Sequence, residues 1–474
     1  MDAKKHKTIP RQHPRELPVA ERINNFNEVV AGYDDQTARR EAERCKQCKK
    51  PKCRKGCPIH NDIPGFIRLL REGRIEEAYW LDRQTNTLPA ICSRVCPHEF
   101  QCEGSCVLGK KGEPVAIGML ERYITDWMVQ HGKNMVQSCA LPNGHKVAIV
   151  GSGPAGMSVA YYLAQGGYDC TIFESLPKVG GMLTVGIPAY RLPRPIIAAE
   201  FEALAHCGVK VVAGVQIGRD KTLDDLQKEG FEAVFLGPGA HASRKLGVEG
   251  EDLDGVLHGV DYLRRFNLGE NIELGGNVVV VGGGNVAIDC ARTALRQGSK
   301  NVFILYRRGR DEMPASKAEI HHLEEEGVRI ETLAAPVKIH GENGRLRKIE
   351  CIRMQLGACD ASGRCRPEPV EGSNFMLEAD AIIPAISQDV EVSAADGQEL
   401  ALSRWGTFEV DETTLQTSVP WIFAAGDAVE GPQTVAKAVY QAKQAAESIH
   451  RLLQGRDLKE GRLAEEEADS PKKG

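Results

Sequence analysis

Eight of the 15 cysteines fall between Cys45 and Cys106. They form two blocks, Cys45-x2-Cys48-x4-Cys53-x3-Cys57-Pro58 and Cys92-x3-Cys96-Pro97-x4-Cys102-x3-Cys106. Thiolates this close together suit iron–sulfur clusters, because four soft ligands must close around one cubane and only short loops wrap it tightly. C-x2-C pairs also build structural zinc sites, but intervals of four, three and five residues fit paired zinc knuckles poorly.

Bulk properties narrow the setting. A chain of 474 residues has room for about three ordinary domains. The net charge of −5, from 60 Lys+Arg against 65 Asp+Glu, gives no basic footprint for nucleic acid or an anionic membrane, so neither partner is expected. Residues 1–7 are basic, but no apolar run follows, which predicts neither a secretory signal nor an anchor and hence a cytoplasmic address. Structural disulfides are disfavoured in a reducing compartment, so the cysteine blocks read as metal ligands. Cys139, Cys170, Cys207, Cys290, Cys351, Cys359 and Cys365 lack such spacing and are expected as buried or incidental thiols.

Residues 1–140 read as a small helical domain that two [4Fe-4S] clusters would staple together. Between the cysteine blocks, Ile63 to Gly73 has the pattern of an amphipathic helix ending at glycine, and a second helix is expected from Pro114 to about Gln130. At Lys146 the character changes. Val147–Val150 is an apolar strand, followed by Gly151-Ser152-Gly153-Pro154-Ala155-Gly156, a helix to about Gln165, and Cys170–Glu174. The pattern returns in Val278–Val281, Gly282-Gly283-Gly284-Asn285-Val286-Ala287, a helix to about Gln297, and Val302–Tyr306. The fold class expected is α/β, two Rossmann-like dinucleotide-binding domains preceded by a helical iron–sulfur domain. The charged stretch 455–474 reads as a flexible tail.

A glycine-rich strand-to-helix turn binds pyrophosphate because the backbone can approach closely and the helix start presents free N–H groups. In the first unit Glu174 lies 23 residues past Gly151, where an acid hydrogen-bonds an adenosine ribose. In the second unit Arg307 and Arg308 stand 25 and 26 residues past Gly282, where paired arginines can hold a 2′-phosphate that an acid would repel. FAD is therefore assigned to the first unit through Gly151, Gly153, Pro154, Ala155, Gly156 and Glu174. NADPH is assigned to the second through Gly282, Gly284, Asn285, Ala287, Arg307 and Arg308. A third segment, Val419 to Ala428, reads as a strand ending in Gly426-Asp427, followed by Thr434, Val435 and a helix through Gln444. This segment resembles that of two-dinucleotide flavoproteins, and the resemblance implies that the strand returns the chain to the FAD domain, with Asp427 on the flavin's ribityl or phosphate region and the helix start under the isoalloxazine. The expected division is thus an FAD domain made of two stretches, 146–270 and 383–454, with an NADPH domain inserted between them at 271–382.

Together these residues resemble the glutamate synthase small chain (β subunit) family, which is related to the N-terminal half of dihydropyrimidine dehydrogenase. The likeness runs from about residue 20 to 452. It is carried by Arg44-Cys45-Lys46-Gln47-Cys48, Gly56-Cys57-Pro58-Ile59, Leu88-Pro89-Ala90-Ile91-Cys92-Ser93-Arg94-Val95-Cys96-Pro97, Cys102-Glu103-Gly104-Ser105-Cys106, Glu121-Arg122-Tyr123-Ile124, Gly180-Gly181-Met182-Leu183, Gly186-Ile187-Pro188 and Ala425-Gly426-Asp427. The resemblance implies FAD contacts at Gly181, Met182, Leu183 and Arg191. It also implies that Cys45, Cys48, Cys53 and Cys106 share one [4Fe-4S] cluster while Cys57 joins Cys96 and Cys102 at the other. Cys92 or Glu121 supplies that second cluster's last ligand.

The resemblance implies the electron-input subunit of an NADPH-dependent glutamate synthase, working in a hetero-complex with a large subunit that makes glutamate from glutamine and 2-oxoglutarate. A hydride would pass from NADPH to FAD and single electrons onward through the clusters, which requires positioning but no general base. Position 2 is Asp2 rather than a nucleophilic cysteine, and an FMN-bearing barrel of about 250 residues has no room. The alternatives are a paralogous subunit serving another acceptor, such as a pyrimidine, a ferredoxin or polysulfide, and a non-catalytic redox-sensing or assembly protein.

Overall fold

The computed structural model describes residues 9–133, 139–360, 365–393 and 398–462. The basic stretch 1–7 and the segment 463–474 lie outside the described residues. From Gly455 to Arg462, where the sequence predicted a free tail, the chain is held down instead. Arg462 donates to Thr413 O, Gln444 O and Ser448 Oγ, and Arg451 to Glu460 O. Guanidinium forks satisfy carbonyls that a composition-based reading leaves to solvent.

The N-terminal domain is helical, with its main helices at Asp35–Ala42, Ile63–Arg71, Ile75–Arg83, Pro89–Val95 and Ile117–Gln130. Asp62 caps the Ile63–Arg71 helix by accepting from Gly65 N, and Pro64 sits in its first turn, where a missing N–H costs nothing. Its apolar stripe, Ile63, Phe66, Ile67 and Leu70, is buried against Ile117, Leu120 and Ile124. Cys45, Cys53, Cys57 and Cys106 pack against the same core.

The first α/β unit is a five-stranded parallel sheet in the order Ile422–Ala424, Ala233–Leu236, Lys146–Val150, Asp169–Glu174, Lys210–Ala213. The strand latest in the sequence lies beside Ala233–Leu236, so the chain leaves this sheet, builds a second unit and returns. That second unit is a parallel sheet in the order Ala381–Pro384, Asn277–Val281, Asn301–Tyr306, Arg329–Thr332. Its central strands are almost wholly apolar because helices or strands cover both faces, as parallel sheets require. An antiparallel layer built on the long strand Arg345–Cys359 covers one face. The two crossings between units pair as a short antiparallel ladder, Ala242–Ser243 with Gln388–Asp389.

The Gly259–Leu268 helix packs Tyr262 and Leu263 into the core of the second unit, although it precedes that unit's first strand. Four cysteines expected as single thiols are paired, Cys139 with Cys207 and Cys359 with Cys365. Folding brings the start of the first α/β unit against the end of the Arg194–His206 helix, with Cα atoms of the first pair 5.7 Å apart. The second pair faces across an antiparallel register. Cys170, Cys290 and Cys351 are buried free thiols.

Candidate cofactor cleft and cysteine sites

A cleft of about 1250 Å³ opens between the two α/β units. On the first unit it is lined by Gly151, Gly153, Pro154, Ala155, Glu174, Gly181, Met182, Leu183, Gly426, Asp427, Thr434 and Val435. On the second it is lined by Gly282, Gly284, Asn285, Arg307 and Arg308. Parallel strands point their carboxyl ends at it, the usual place for a ligand in such sheets.

The glycines are explained by approach. Gly151 has φ +96°, and a Cβ there would overlap the Gly237 carbonyl. A Cβ at Gly181 would stand 2.9 Å from Gly153 Cα, while one at Gly153 would meet nothing within 4 Å. The loop is thus closed against its own backbone and open toward the cleft, as a cradle for a pyrophosphate must be. Gly156 and Ala287 do not line the cleft: Gly156 lets its helix meet Gly151, and Ala287 is fully buried against Gly282. Such positions serve close helix–strand packing.

Glu174 ends its strand with the carboxylate turned back onto the loop, accepting from Ser152 N at 3.0 Å, from Ser152 Oγ, and from Leu176 N at 2.9 Å. Ser152, which no spacing rule singles out, also accepts from Gly180 N at 2.8 Å and so locks the two glycine turns together. Its only sequence signal is its place inside the fingerprint. Gly426 N donates to Gln441 Oε1 at 2.8 Å, a second contact of the same kind. Burial holds the Asp427 carboxyl up at about 6 although it accepts from Gln433 N, so a polar ligand reaching it would relieve a desolvated group.

At the other end of the cleft Arg307 is exposed. Arg308 is buried, with Nε donating to Cys365 O at 2.9 Å. One arginine is open to meet an anion and its neighbour is built into the wall. Arg191, expected at FAD, is absent from the cleft lining. Its guanidinium reaches Asp289 at 2.7 Å and Glu319 at 3.4 Å on two helices of the second unit.

The eight cysteines divide into two sets. Cys45, Cys48, Cys53 and Cys106 line one small cavity together with Lys46 and Lys52. Cys57, Cys92, Cys96, Cys102 and Glu121 form a deeper set, Cys92 being 2% and Cys102 6% exposed. Burial pushes the Cys57 thiol up to about 12, and a hydrogen bond with Cys96, then burial, pushes Cys92 well above the ordinary thiol range. Glu121 accepts from Asn86 Nδ2 at 2.9 Å, and burial, then neighbouring Asp82, hold its carboxyl well above the usual range. Groups this reluctant to ionise suit a site where a cationic metal centre compensates them. Among the described residues no group of three or more His, Cys, Asp or Glu closes around a single ion. A cubane spreads its ligands wider, since each binds a different iron.

Comparison with known proteins agrees with both halves. Residues 22–133 match the family described as dihydropyrimidine dehydrogenase domain II, 4Fe-4S cluster, and residues 145–442 match pyridine nucleotide-disulphide oxidoreductase. FprA from Mycobacterium tuberculosis shares the fold of the two α/β units, with a TM-score of 0.57 and 20% identity over 66% of this chain and 85% of its own. The fold and site define an NADPH-dependent flavin and iron–sulfur oxidoreductase. The chain belongs to the glutamate synthase small-chain family, being 38% identical to the NADPH small chain of Azospirillum brasilense over 92% of this chain and 93% of that one. It is also 45% identical to the β subunit of the NADP(+)-dependent formate dehydrogenase of Moorella thermoacetica, over 85% of this chain and 60% of that subunit's length. Among the described residues no helix is long and apolar enough to cross a membrane.

Proposed function

We propose that this chain is the electron-input subunit of an NADPH-dependent glutamate synthase, acting in the cytoplasm with a large subunit that makes glutamate from glutamine and 2-oxoglutarate. When bound, FAD accepts a hydride from NADPH and releases electrons singly, and [4Fe-4S] clusters carry them onward. The chain's own residues bind and orient. Gly151, Gly153 and the helix start at Pro154 hold the FAD pyrophosphate, Glu174 the adenosine ribose, and Asp427 with the Thr434–Val435 helix start the flavin end. Gly282, Gly284 and Asn285 hold the NADPH pyrophosphate, and Arg307 its 2′-phosphate, with Arg308 as a braced neighbour. Cys45, Cys48, Cys53 and Cys106 ligate the outer cluster. Cys57, Cys96, Cys102 and Glu121 ligate the inner one, with Cys92 as the rival last ligand.

The observation that carries this reading is an ordering in space. Gln101, beside Cys102, contacts Thr434 at the cleft. Cys57, in the inner set, packs against the cores of both the FAD unit and the iron–sulfur domain. The outer set surrounds its own small cavity, which the exposed Lys46 and Lys52 also line. Purified chain reconstituted anaerobically with a glutamate synthase large chain should form glutamate from NADPH, glutamine and 2-oxoglutarate; absence of glutamate with dye reduction intact would reject this acceptor. The likeness to a formate dehydrogenase β subunit supports a second reading, another acceptor for the same input module, which NADP(+) reduction in the presence of a formate-oxidising partner would select.

A further inference from the structure

Residues 46–55 read Lys-Gln-Cys-Lys-Lys-Pro-Lys-Cys-Arg-Lys, six basic residues in ten with no acid, within a chain whose net charge is −5. The tertiary structure places this run around the outer cysteine set. Lys46, Lys49, Lys50, Lys52, Arg54 and Lys55 are all exposed, and Lys46 and Lys52 line the same small cavity as Cys45, Cys48, Cys53 and Cys106. Lys110 and Lys111, just past Cys106, are exposed as well. Among the described residues Lys46, Lys49, Lys50 and Lys52 form no ion pair or side-chain hydrogen bond, whereas many other surface cations of this chain do, such as Arg74 with Glu72 and Glu77. Positive charge is therefore concentrated and exposed beside the outer cysteine set, whereas Cys57, Cys92 and Cys96 of the inner set pack with the core of the first α/β unit.

We infer that this basic collar is the docking surface for an acidic redox protein, the one-electron acceptor that takes electrons from the outer cysteine set. The inference rests on the electron-input reading and adds to it the place and the charge of the partner. Opposed potentials raise encounter rates and fix orientation, and they act over a Debye length of about 10 Å at 0.1 M salt. Placing them around the outlet brings the acceptor's centre to the outlet rather than to the cleft. The balance is NADPH plus two oxidised one-electron acceptors giving NADP⁺, one proton and two reduced acceptors. A polyanion such as nucleic acid would also meet lysines, but it has no use for a redox group at the centre of its footprint.

The test uses the holoprotein, an acidic plant-type ferredoxin as probe, and menadione as a small uncharged acceptor. Ferredoxin reduction by NADPH should fall about tenfold between 20 and 300 mM salt, as steered association does. Binding of oxidised ferredoxin, read by biolayer interferometry, should weaken in parallel. K49E/K50E should weaken both about tenfold at low salt while flavin content, iron content and menadione reduction stay at the parent level. K110E/K111E, on the other cysteine block, should act in the same direction. Salt-independent ferredoxin reduction, or charge-reversed variants that bind ferredoxin as the parent does, would overturn the docking surface alone. Equal loss with ferredoxin and menadione would assign the lysines to holding the cluster instead and overturn it too. Equal affinity for single-stranded DNA and ferredoxin would reassign the surface to polyanions. Failure of NADPH to reduce even menadione would bring down the functional reading itself and the docking surface with it.

Discussion

Gln101 Nε2 donates to Thr434 Oγ1 across 3.3 Å, joining the residue before Cys102 to the N-cap of the 19-residue Val435–Leu453 helix. The two residues are separated by 333 positions, and the same threonine accepts from Lys437 N within its own helix. One side chain thus starts the helix at the cleft and holds the iron–sulfur domain against it. Loss of an N-cap costs about 1 kcal/mol, and a net hydrogen bond about as much. Thr434→Ala is expected to destabilise the contact by about 2 kcal/mol, the sum of those two terms, and Gln101→Ala by about half that. Hydrogen exchange over residues 98–106 measures both, and a double variant should be less damaging than the sum of the two, because the pair shares one bond.

Arg307 lies open to solvent at the cleft's far end, whereas Arg308 is braced. A charge-assisted hydrogen bond contributes about 1.5–3 kcal/mol, so Arg307→Ala should raise the KM for NADPH about tenfold to a hundredfold and leave that for NADH nearly unchanged. Arg308→Ala removes a bond to Cys365 O and should impair both nucleotides together. Equal sensitivity of both nucleotides to Arg307→Ala would remove it from the 2′-phosphate.

Glu326 sits under Arg22, Arg292 and Arg296, each 2.7–3.0 Å from its carboxylate, and so links the N-terminal domain to the second α/β unit. Burial alone would raise its pKa, but the hydrogen bonds from Arg296 and Arg292 outweigh it and hold the carboxyl at about 2. A carboxyl depressed below its unfolded value binds its proton later in the folded state. Its stabilisation is therefore present above about pH 4.5 and lost as the pH falls toward 2. Glu326→Gln should cost about 3–5 kcal/mol at pH 7, as breaking a buried pair does, and remove this part of the acid sensitivity. Urea midpoints from pH 7 down to 3 give the comparison; parallel curves for parent and variant would place the acid lability elsewhere.

Glu121 and Cys92 compete for the last place at the inner cysteine set. Glu121→Ala is expected to alter the EPR spectrum of one reduced cluster and lower iron content, while Cys92→Ser leaves both at the parent level. The reverse pattern assigns the ligand to Cys92. Asn86, which donates to Glu121 at 2.9 Å, should show a weaker version of the same effect when changed to Ala, since partners behind a ligand orient it.

Much of the arrangement was legible in sequence because it depends on local rules. The strand–glycine–helix units at Lys146 and Asn277 are read from apolar runs and turn glycines, and they fold where expected. Helix ends were less legible: the last helix runs to Leu453 rather than Gln444, and the expected Pro114 helix starts at Ile117. Cooperative packing, not a local stop signal, sets these limits. The ion pairs of Arg191 were not legible for a different reason, since a cation in a recognised segment says nothing about which carboxylates folding will bring to it. Ser152 and Gln441 were invisible because single polar side chains that brace a loop have no periodicity and no spacing.

By itself the sequence determined the chemistry this chain can support: soft ligands at cubane spacing, two glycine-rich turns, and an acid on one ribose position against arginines on the other. Those are properties of residue type and short separation, which the chain carries before it folds. Tertiary structure decided which ligands meet which. It sorted eight thiols and Glu121 into an inner and an outer set, turned Arg191 into an interdomain tie, and set Gln101 against Thr434. It also set Lys46 and Lys52 beside Cys106, which comes from the other cysteine block. Contacts between residues hundreds of positions apart depend on how whole domains pack, and no local pattern encodes them.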